Sequence, residues 1–341
     1  QFIGFEAGWM LYTARAASIA ANAHVLSAYA GALWPPLHRP LAIIVTVGPT
    51  TAINASGIRR AVDTLGGMTM IKLMPLLLIG ALGLLLATIP APALPQFSAV
   101  EGVALAALYA FVGFEAATIP AGETRDPERN IPRALLLTVA GVTLVYVLVQ
   151  LAYTASGIGE SDAPLAELAS RSLGPAGVVI LGVTAIVSVL ANQLSAVTSI
   201  SRITSSFADQ GLLPRWFGKI SPRFATPSNS ILAVGGIGLG LALSGTFITL
   251  AVISTVARLF AYFASIAAIP RLVFLAGRTR WGRGVALPLV AGLLILWAAS
   301  HSRFEEWRAF AAFLAVGALL YGIAPLGRGC ACAAALPAPV A

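Results

Sequence analysis

Glu115 is a carboxylate inside an apolar run, Tyr109 to Thr118, with Phe114 before it, Ala116 and Ala117 after it and Gly113 two residues back. A charged side chain at the centre of a hydrocarbon span costs about 2.5 to 3.5 kcal/mol on insertion scales, so it should face protein, water or solute. Gly113 has no Cβ to resist departure from helical geometry, so the backbone can open beside the acid and release N–H and C=O groups. Such an opening is a ready-made site for a small polar solute: broken helices at membrane depth offer positive helix starts to carboxylates and free carbonyls to cations. Ala110, Phe111 and Phe114 flank the opening, and Tyr109 stands just before it.

Lys72, in MTMIKLMPLLLIG, is the second titratable group set in an apolar run. An ammonium there carries a desolvation cost that releasing its proton relieves, which makes Lys72 a candidate proton carrier; near a span end it would instead snorkel to the headgroups. Arg15, Arg202 and Arg258 are further cations in apolar stretches. Arg15 and Arg202 are expected to anchor helices or pair with carboxylates, and Arg258 has two candidate partners, Glu115 and a lipid phosphate. Asn22, Asn192, Gln193, Ser195 and Tyr262 are candidates for polar groups lining a central cavity, or for interhelical hydrogen bonds. His24 reads as a structural histidine.

These residues need membrane-crossing helices to position them. The chain of 341 residues is 58% hydrophobic and 10% charged with a mean hydropathy of +0.88, too apolar to cover a soluble domain with polar groups. Apolar runs long enough for the roughly 30 Å hydrocarbon layer fall at 2 to 33, 41 to 57, 64 to 88, 101 to 121, 134 to 156, 176 to 208, 228 to 244, 247 to 270, 285 to 300 and 307 to 325. Proline-bearing loops such as PPLHRP and IPAPALPQ separate them. The expectation is an all-α polytopic membrane protein of about ten helices. Its first three spans run long, short, ordinary, and the sixth to eighth repeat that order in the opposite sense, as an inverted repeat would.

The net charge of +8 is spread over short loops, the pattern of cytoplasmic loops rather than of a nucleic-acid surface. Arg59, Arg60, Arg125, Arg129, Arg133, Arg215, Lys219, Arg223, Arg271, Arg278, Arg280, Arg283 and Arg328 fall on one side. Arg39, Arg171, Arg303 and Arg308 fall on the other. The first side is therefore expected in the cytoplasm, together with the C-terminus. The cluster Glu123, Arg125, Asp126, Glu128, Arg129 and Arg133 reads as a salt-bridge network on that side. LLPRWFGKISPRF reads as an amphipathic basic stretch on the headgroup layer. Glycines 235, 236, 238 and 240 would let the span at 228 to 244 pack closely. Cys330 and Cys332 have no neighbouring His or second Cys pair, so no metal site is expected, and no hydrolase, zinc or nucleotide-phosphate motif calls for a cofactor.

Three stretches carry a resemblance. GFEAATIPAGETRDPERNIPRAL resembles the sixth-helix signature of the amino acid, polyamine and organocation permeases. SFADQGLLPRWFGKISPRFATPSNS, Ser206 to Ser230, is similar to that superfamily's loop after helix eight, and GFEAGWMLYTAR, Gly4 to Arg15, resembles the start of its third helix. The resemblance implies a leucine-transporter-like fold of two inverted five-helix repeats, with this chain beginning at the third helix. Residues 1–100 would be the rest of the first repeat, 101–270 the second, and 271–341 the last two helices and tail. It implies that the Gly113–Glu115 region gates the site and lends backbone to the substrate, that an aromatic near Tyr109 and Phe111 closes over it, and that Lys72 stands where sodium-coupled relatives bind sodium. The glycine-rich break of the first helix is not in this sequence.

The expected function is transport of an amino acid or polyamine across the cytoplasmic membrane, coupled to protons carried by Lys72 and Glu115, with lipids as the surrounding partner. Obligate exchange of an amino acid for its decarboxylated product is a second transport reading. A non-transporting membrane scaffold is a reading from another class.

Overall fold

A computed structural model describes residues 1–34, 38–55, 59–86, 97–118, 124–159, 161, 163–224, 226–275 and 283–324. Glu123, Arg278, Arg280, Arg328, Cys330 and Cys332 lie outside the described residues, as do residues 35–37 of PPLHRP and the whole of IPAPALPQ. Among the described residues there are ten α-helices and no strand: α1 Phe2–Leu33, α2 Arg39–Ala55, α3 Arg59–Leu86, α4 Phe97–Phe111, α5 Pro127–Ala155, α6 Pro164–Asp209, α7 Ser228–Ser244, α8 Phe247–Leu275, α9 Arg283–Ser300 and α10 Phe304–Ile323. By length and apolar composition, Pro127–Ala155, Pro164–Asp209, Phe247–Leu272 and Phe304–Ile323 are each long enough to cross a membrane, and four shorter apolar helices accompany them.

The outer surface inverts the soluble pattern. Leu136, Leu137 and Leu144 of α5, Leu287 and Leu293 of α9, and Leu319 and Ile323 of α10 are all exposed, as expected where the solvent is hydrocarbon. Threonine hydroxyls inside α2 are satisfied by the helix's own backbone: Thr46 donates to the Ala42 carbonyl at 2.6 Å and Thr51 to the Val47 carbonyl at 2.7 Å.

The core is built around α1, which packs against α2, α6, α7, α8 and α10. Phe5, Trp9, Tyr12 and Ile19 of α1 are buried with Val197, Ile200, Ile231 and Leu250. Small residues allow this approach, as between membrane helices generally. A methyl at Gly238 would fall 3.0 Å from Ile19 Cγ2, and one at Gly235 would collide with Thr51, whereas Gly236 and Gly240 face open space.

The two largest departures from the expected spans are in α6 and α4. α6 starts twelve residues early, at Pro164 rather than 176, and bends at Gly174, whose φ of 66° and ψ of −154° lie outside helical geometry. The other departure is the span expected over 101 to 121, which is helical only to Phe111.

The charge cluster before α5 differs from expectation. Arg125, Asp126, Glu128, Arg129 and Arg133 are exposed, and the ion pairs among the described residues are Arg15–Glu115, Arg258–Glu115 and His301–Glu101, none of them in the cluster. Exposed pairs gain little over two hydrated side chains, so opposite signs at helix-end spacing are not enough to join them. Arg202 is likewise exposed and makes no ion pair among the described residues. In LLPRWFGKISPRF, Trp216, Ile220 and Phe224 are exposed beside Arg215, Lys219 and Arg223, while Leu213 is fully buried.

Candidate functional site

The α4 helix ends where the sequence places glycine beside the acid. Val112 N–H reaches back to the Tyr109 carbonyl at 3.3 Å, Gly113 takes a φ of 117°, and the chain re-forms as a short 3₁₀ helix, Phe114–Thr118. Only glycine enters that φ region without a steric penalty.

The Glu115 carboxylate fastens the opening. Its Oε2 accepts the Gly113 N–H at 2.7 Å and the Tyr262 hydroxyl at 3.0 Å. Its Oε1 accepts Arg258 Nε at 3.0 Å and Arg15 Nη2 at 3.3 Å. Arg258 resolves in favour of Glu115 over a lipid phosphate: it is fully buried on α8, and its Nη1 also donates to the Ser254 hydroxyl. That hydroxyl donates in turn to the Ala14 carbonyl of α1 at 2.8 Å. One carboxylate thus joins the opened segment to α1 and α8 through two guanidinium groups, a net charge of +1 within a low-dielectric interior. Leaving any one partner behind would be costly there.

A second set of hydrogen bonds holds the last turn of α4. The Tyr109 hydroxyl donates to Asn22 Oδ1 at 3.3 Å and lies 3.2 Å from the Ser18 hydroxyl. Asn22 Nδ2 donates to Asn192 Oδ1 at 3.3 Å, which connects α1 to α6.

Beside the opening lies a cavity of about 380 Å³. One wall is the end of α4 and the opening after it, Ala110 to Phe114. Thr138, Val139, Val142 and Tyr146 of α5 form the second, and Asn192, Ser195, Ala196 and Ser199 of α6 the third. Arg15 and Lys72 complete it. Tyr146 closes over the opened helix end, its hydroxyl donating to the Ala110 carbonyl at 2.7 Å and its ring 5.2 Å from that of Phe111. Lys72 makes no hydrogen bond or ion pair among the described residues. Among the charged side chains on the lining both are cations and none is an acid.

The expected site residues therefore separate into two groups. Ala110, Phe111, Gly113, Phe114, Lys72 and Asn192 border the cavity, and so does Ser195. Tyr109, Glu115, Asn22 and Tyr262 stand behind its wall, joined to it by the hydrogen bonds above. Gln193 is fully buried and does not reach the cavity. The α5 residues were not foreseen. Thr138, Val142 and Tyr146 recur every four residues along one helix face, and that spacing of a hydroxyl, a branched chain and an aromatic hydroxyl was the available signal.

A membrane bundle with an unwound span facing a solute-sized, partly polar cavity defines a carrier. The chain matches the family model described as amino acid permease over residues 1–324 and belongs to that family. It is similar to an uncharacterized transporter of Mycobacterium tuberculosis, 30% identical over 334 residues that cover 95% of this chain and 74% of the relative. The methylthioribose transporter of Bacillus subtilis is 25% identical over 322 residues, 88% of this chain and 68% of that protein. The low-affinity putrescine importer of Escherichia coli is 30% identical over 137 residues, 38% of this chain and 30% of that protein.

Proposed function

We propose that this permease moves an amino acid across the cytoplasmic membrane, coupled to protons, by alternating access between two inverted halves. The observation that carries this reading is the cavity at the Gly113 opening, walled by unwound backbone and by Arg15 and Lys72 with no acid on its lining. Two cations on the lining complement a substrate carboxylate. That favours an amino acid over a diamine such as putrescine, which would meet repulsion from the same wall.

In this reading Lys72 carries the proton, because it faces the cavity without a fixed partner. Glu115, held by four hydrogen bonds, keeps the opening in place and contributes to coupling through Arg15. Asn22, Asn192, Tyr109 and Tyr262 set the positions of the wall, and Phe111, Phe114 and Tyr146 close over the substrate side chain. Helix lengths support the repeat: α1, α2 and α3 have 32, 17 and 28 residues, and α6 after its bend, α7 and α8 follow the same order, the last two with 17 and 29. Residues 1–100, 101–270 and 271–341 then form the remainder of one half, the other half, and two further helices. Loop arginines orient the C-terminus toward the cytoplasm.

The experiment is uptake of a panel of radiolabelled amino acids and putrescine by the full-length protein in proteoliposomes, with and without an inward proton gradient. Gradient-stimulated uptake of at least one amino acid is expected. Lys72→Met should abolish the stimulation while leaving counterflow exchange. Uptake that requires internal counter-substrate and ignores the gradient would replace proton coupling with exchange, and uptake of putrescine alone would overturn the assignment of substrate.

A further inference from the structure

The connection between α6 and α7 has no part in the site above. It leaves α6 at Asp209 and enters α7 at Ser228. Leu232, about 6 Å along α7 from that start, is already exposed in the manner of a lipid-facing side chain. The connection therefore lies where hydrocarbon gives way to headgroups. Its three cations, Arg215, Lys219 and Arg223, are exposed, and each is followed by an exposed apolar side chain, Trp216, Ile220 and Phe224. No acid occurs between Gln210 and Pro227; Asp209, at the end of α6, is the nearest before it.

The backbone that carries these side chains is fixed from within. Leu213 is fully buried, and Gly218 lies so close to α6 that a methyl there would fall 3.1 Å from Ala208 Cβ. From α7, Asn229 Nδ2 donates to the Trp216 carbonyl and the Ser230 hydroxyl to the Phe217 carbonyl, both at 2.9 Å. The Ser221 N–H closes the next turn on the Thr226 carbonyl at 2.8 Å, and the Thr226 hydroxyl donates to the Ala55 carbonyl of α2 at 3.0 Å. Trp216 and Ile220 remain 51% and 56% exposed on this anchored backbone, so their exposure belongs to the fold.

We infer that this connection is a docking surface for the anionic headgroups of the bilayer that holds the protein. Trp216, Ile220 and Phe224 enter the boundary layer, where amphipathic rings are favoured, and the three cations meet lipid phosphates. A zwitterionic headgroup offers the same phosphate but offsets it with its own ammonium, so the surface should select lipids of net negative charge. In the proposed orientation this is the cytoplasmic leaflet, whose surface is negative. The selection is independent of which solute is carried.

Quenching of tryptophan fluorescence by brominated lipids tests this on the full-length protein in bilayers, with Trp216→Phe subtracted to isolate the Trp216 signal. One bilayer holds brominated phosphatidylglycerol as a minor component in phosphatidylcholine. The other holds brominated phosphatidylcholine, at the same fraction, in phosphatidylglycerol. Quenching in the first should exceed that in the second by roughly fivefold, the factor for one basic residue at an anionic surface, and by more where the cations act together. Substituting all three, Arg215→Gln, Lys219→Gln and Arg223→Gln, should bring the two bilayers to parity. Salt raised to about 1 M, which shortens the screening length to about 3 Å, should do the same to wild type. In brominated phosphatidylcholine alone, Trp216 should be quenched in wild type and triple variant alike. Parity in wild type at low salt, an excess that survives the triple substitution or the salt, or a Trp216 signal that no brominated lipid reaches, overturns the inference.

Discussion

Replacing Glu115 with glutamine should destabilise the protein more than removing either arginine bound to it. The substitution keeps the size and one acceptor oxygen, but it leaves the Arg15 and Arg258 guanidinium groups side by side without a counter-charge, the latter with its side chain 1% exposed. Breaking a buried pair by removing one partner costs about 3 to 5 kcal/mol. Arg258→Met is different, because it leaves Arg15 and Glu115 as a neutral pair and forfeits mainly one charge-assisted hydrogen bond, about 1.5 to 3 kcal/mol. The double variant should cost less than the sum of the two by about 1 to 3 kcal/mol, since the groups are in contact. Reversible unfolding in mixed micelles, titrated with a denaturing detergent and followed by tryptophan fluorescence, gives all three values. If Arg258→Met costs as much as Glu115→Gln, or the two add within about 0.5 kcal/mol, the carboxylate is not the common anchor of the opening.

Gly113→Ala should lower stability by about 1 to 3 kcal/mol through backbone strain at its φ of 117° and reduce transport with it. The control, Gly141→Ala in the middle of α5 with nothing nearby, should gain up to about 1 kcal/mol in the same titration. Tyr146→Phe removes the hydrogen bond to the Ala110 carbonyl, so unfolding should cost about 0.5 to 1.5 kcal/mol less, and the apparent KM for uptake should rise. Gly235→Leu, driven into Thr51, should destabilise by about 1 to 3 kcal/mol, whereas Gly236→Leu on the open side of the same helix should change unfolding little.

Where the sequence was explicit, it was so because of a conflict with hydrocarbon. Glu115 beside Gly113 marked an opening in the span, and α4 does end at Phe111. Likewise α1 and α7 begin and end where their apolar runs do. Partner choice was not legible. Arg258 lies 143 residues from Glu115, and an arginine in an apolar run is equally at odds with its surroundings whether an acid or a lipid phosphate relieves it. The α5 wall was hidden for the opposite reason. Thr138 and Tyr146 sit in a helix whose apolar residues face lipid, and nothing in their chemistry conflicts with that setting. The early start of α6 was obscured because Leu168 and Ala169 lie in a stretch broken by Arg171 and Pro175, too polar to read as a span.

The bend at Gly174 has a mechanical consequence. It lays the segment before it across three neighbours, burying Leu168 and Ala169 with Tyr29, Ile79 and Ala152, which stand toward the C-terminal ends of α1, α3 and α5. Those three ends are clasped together, while Lys72 and Thr138 lie lower on the same rods. Any splaying of α3 and α5 away from α1 therefore has its fulcrum at that clasp, and the gap widens toward the other membrane face, as the jaws of tongs do.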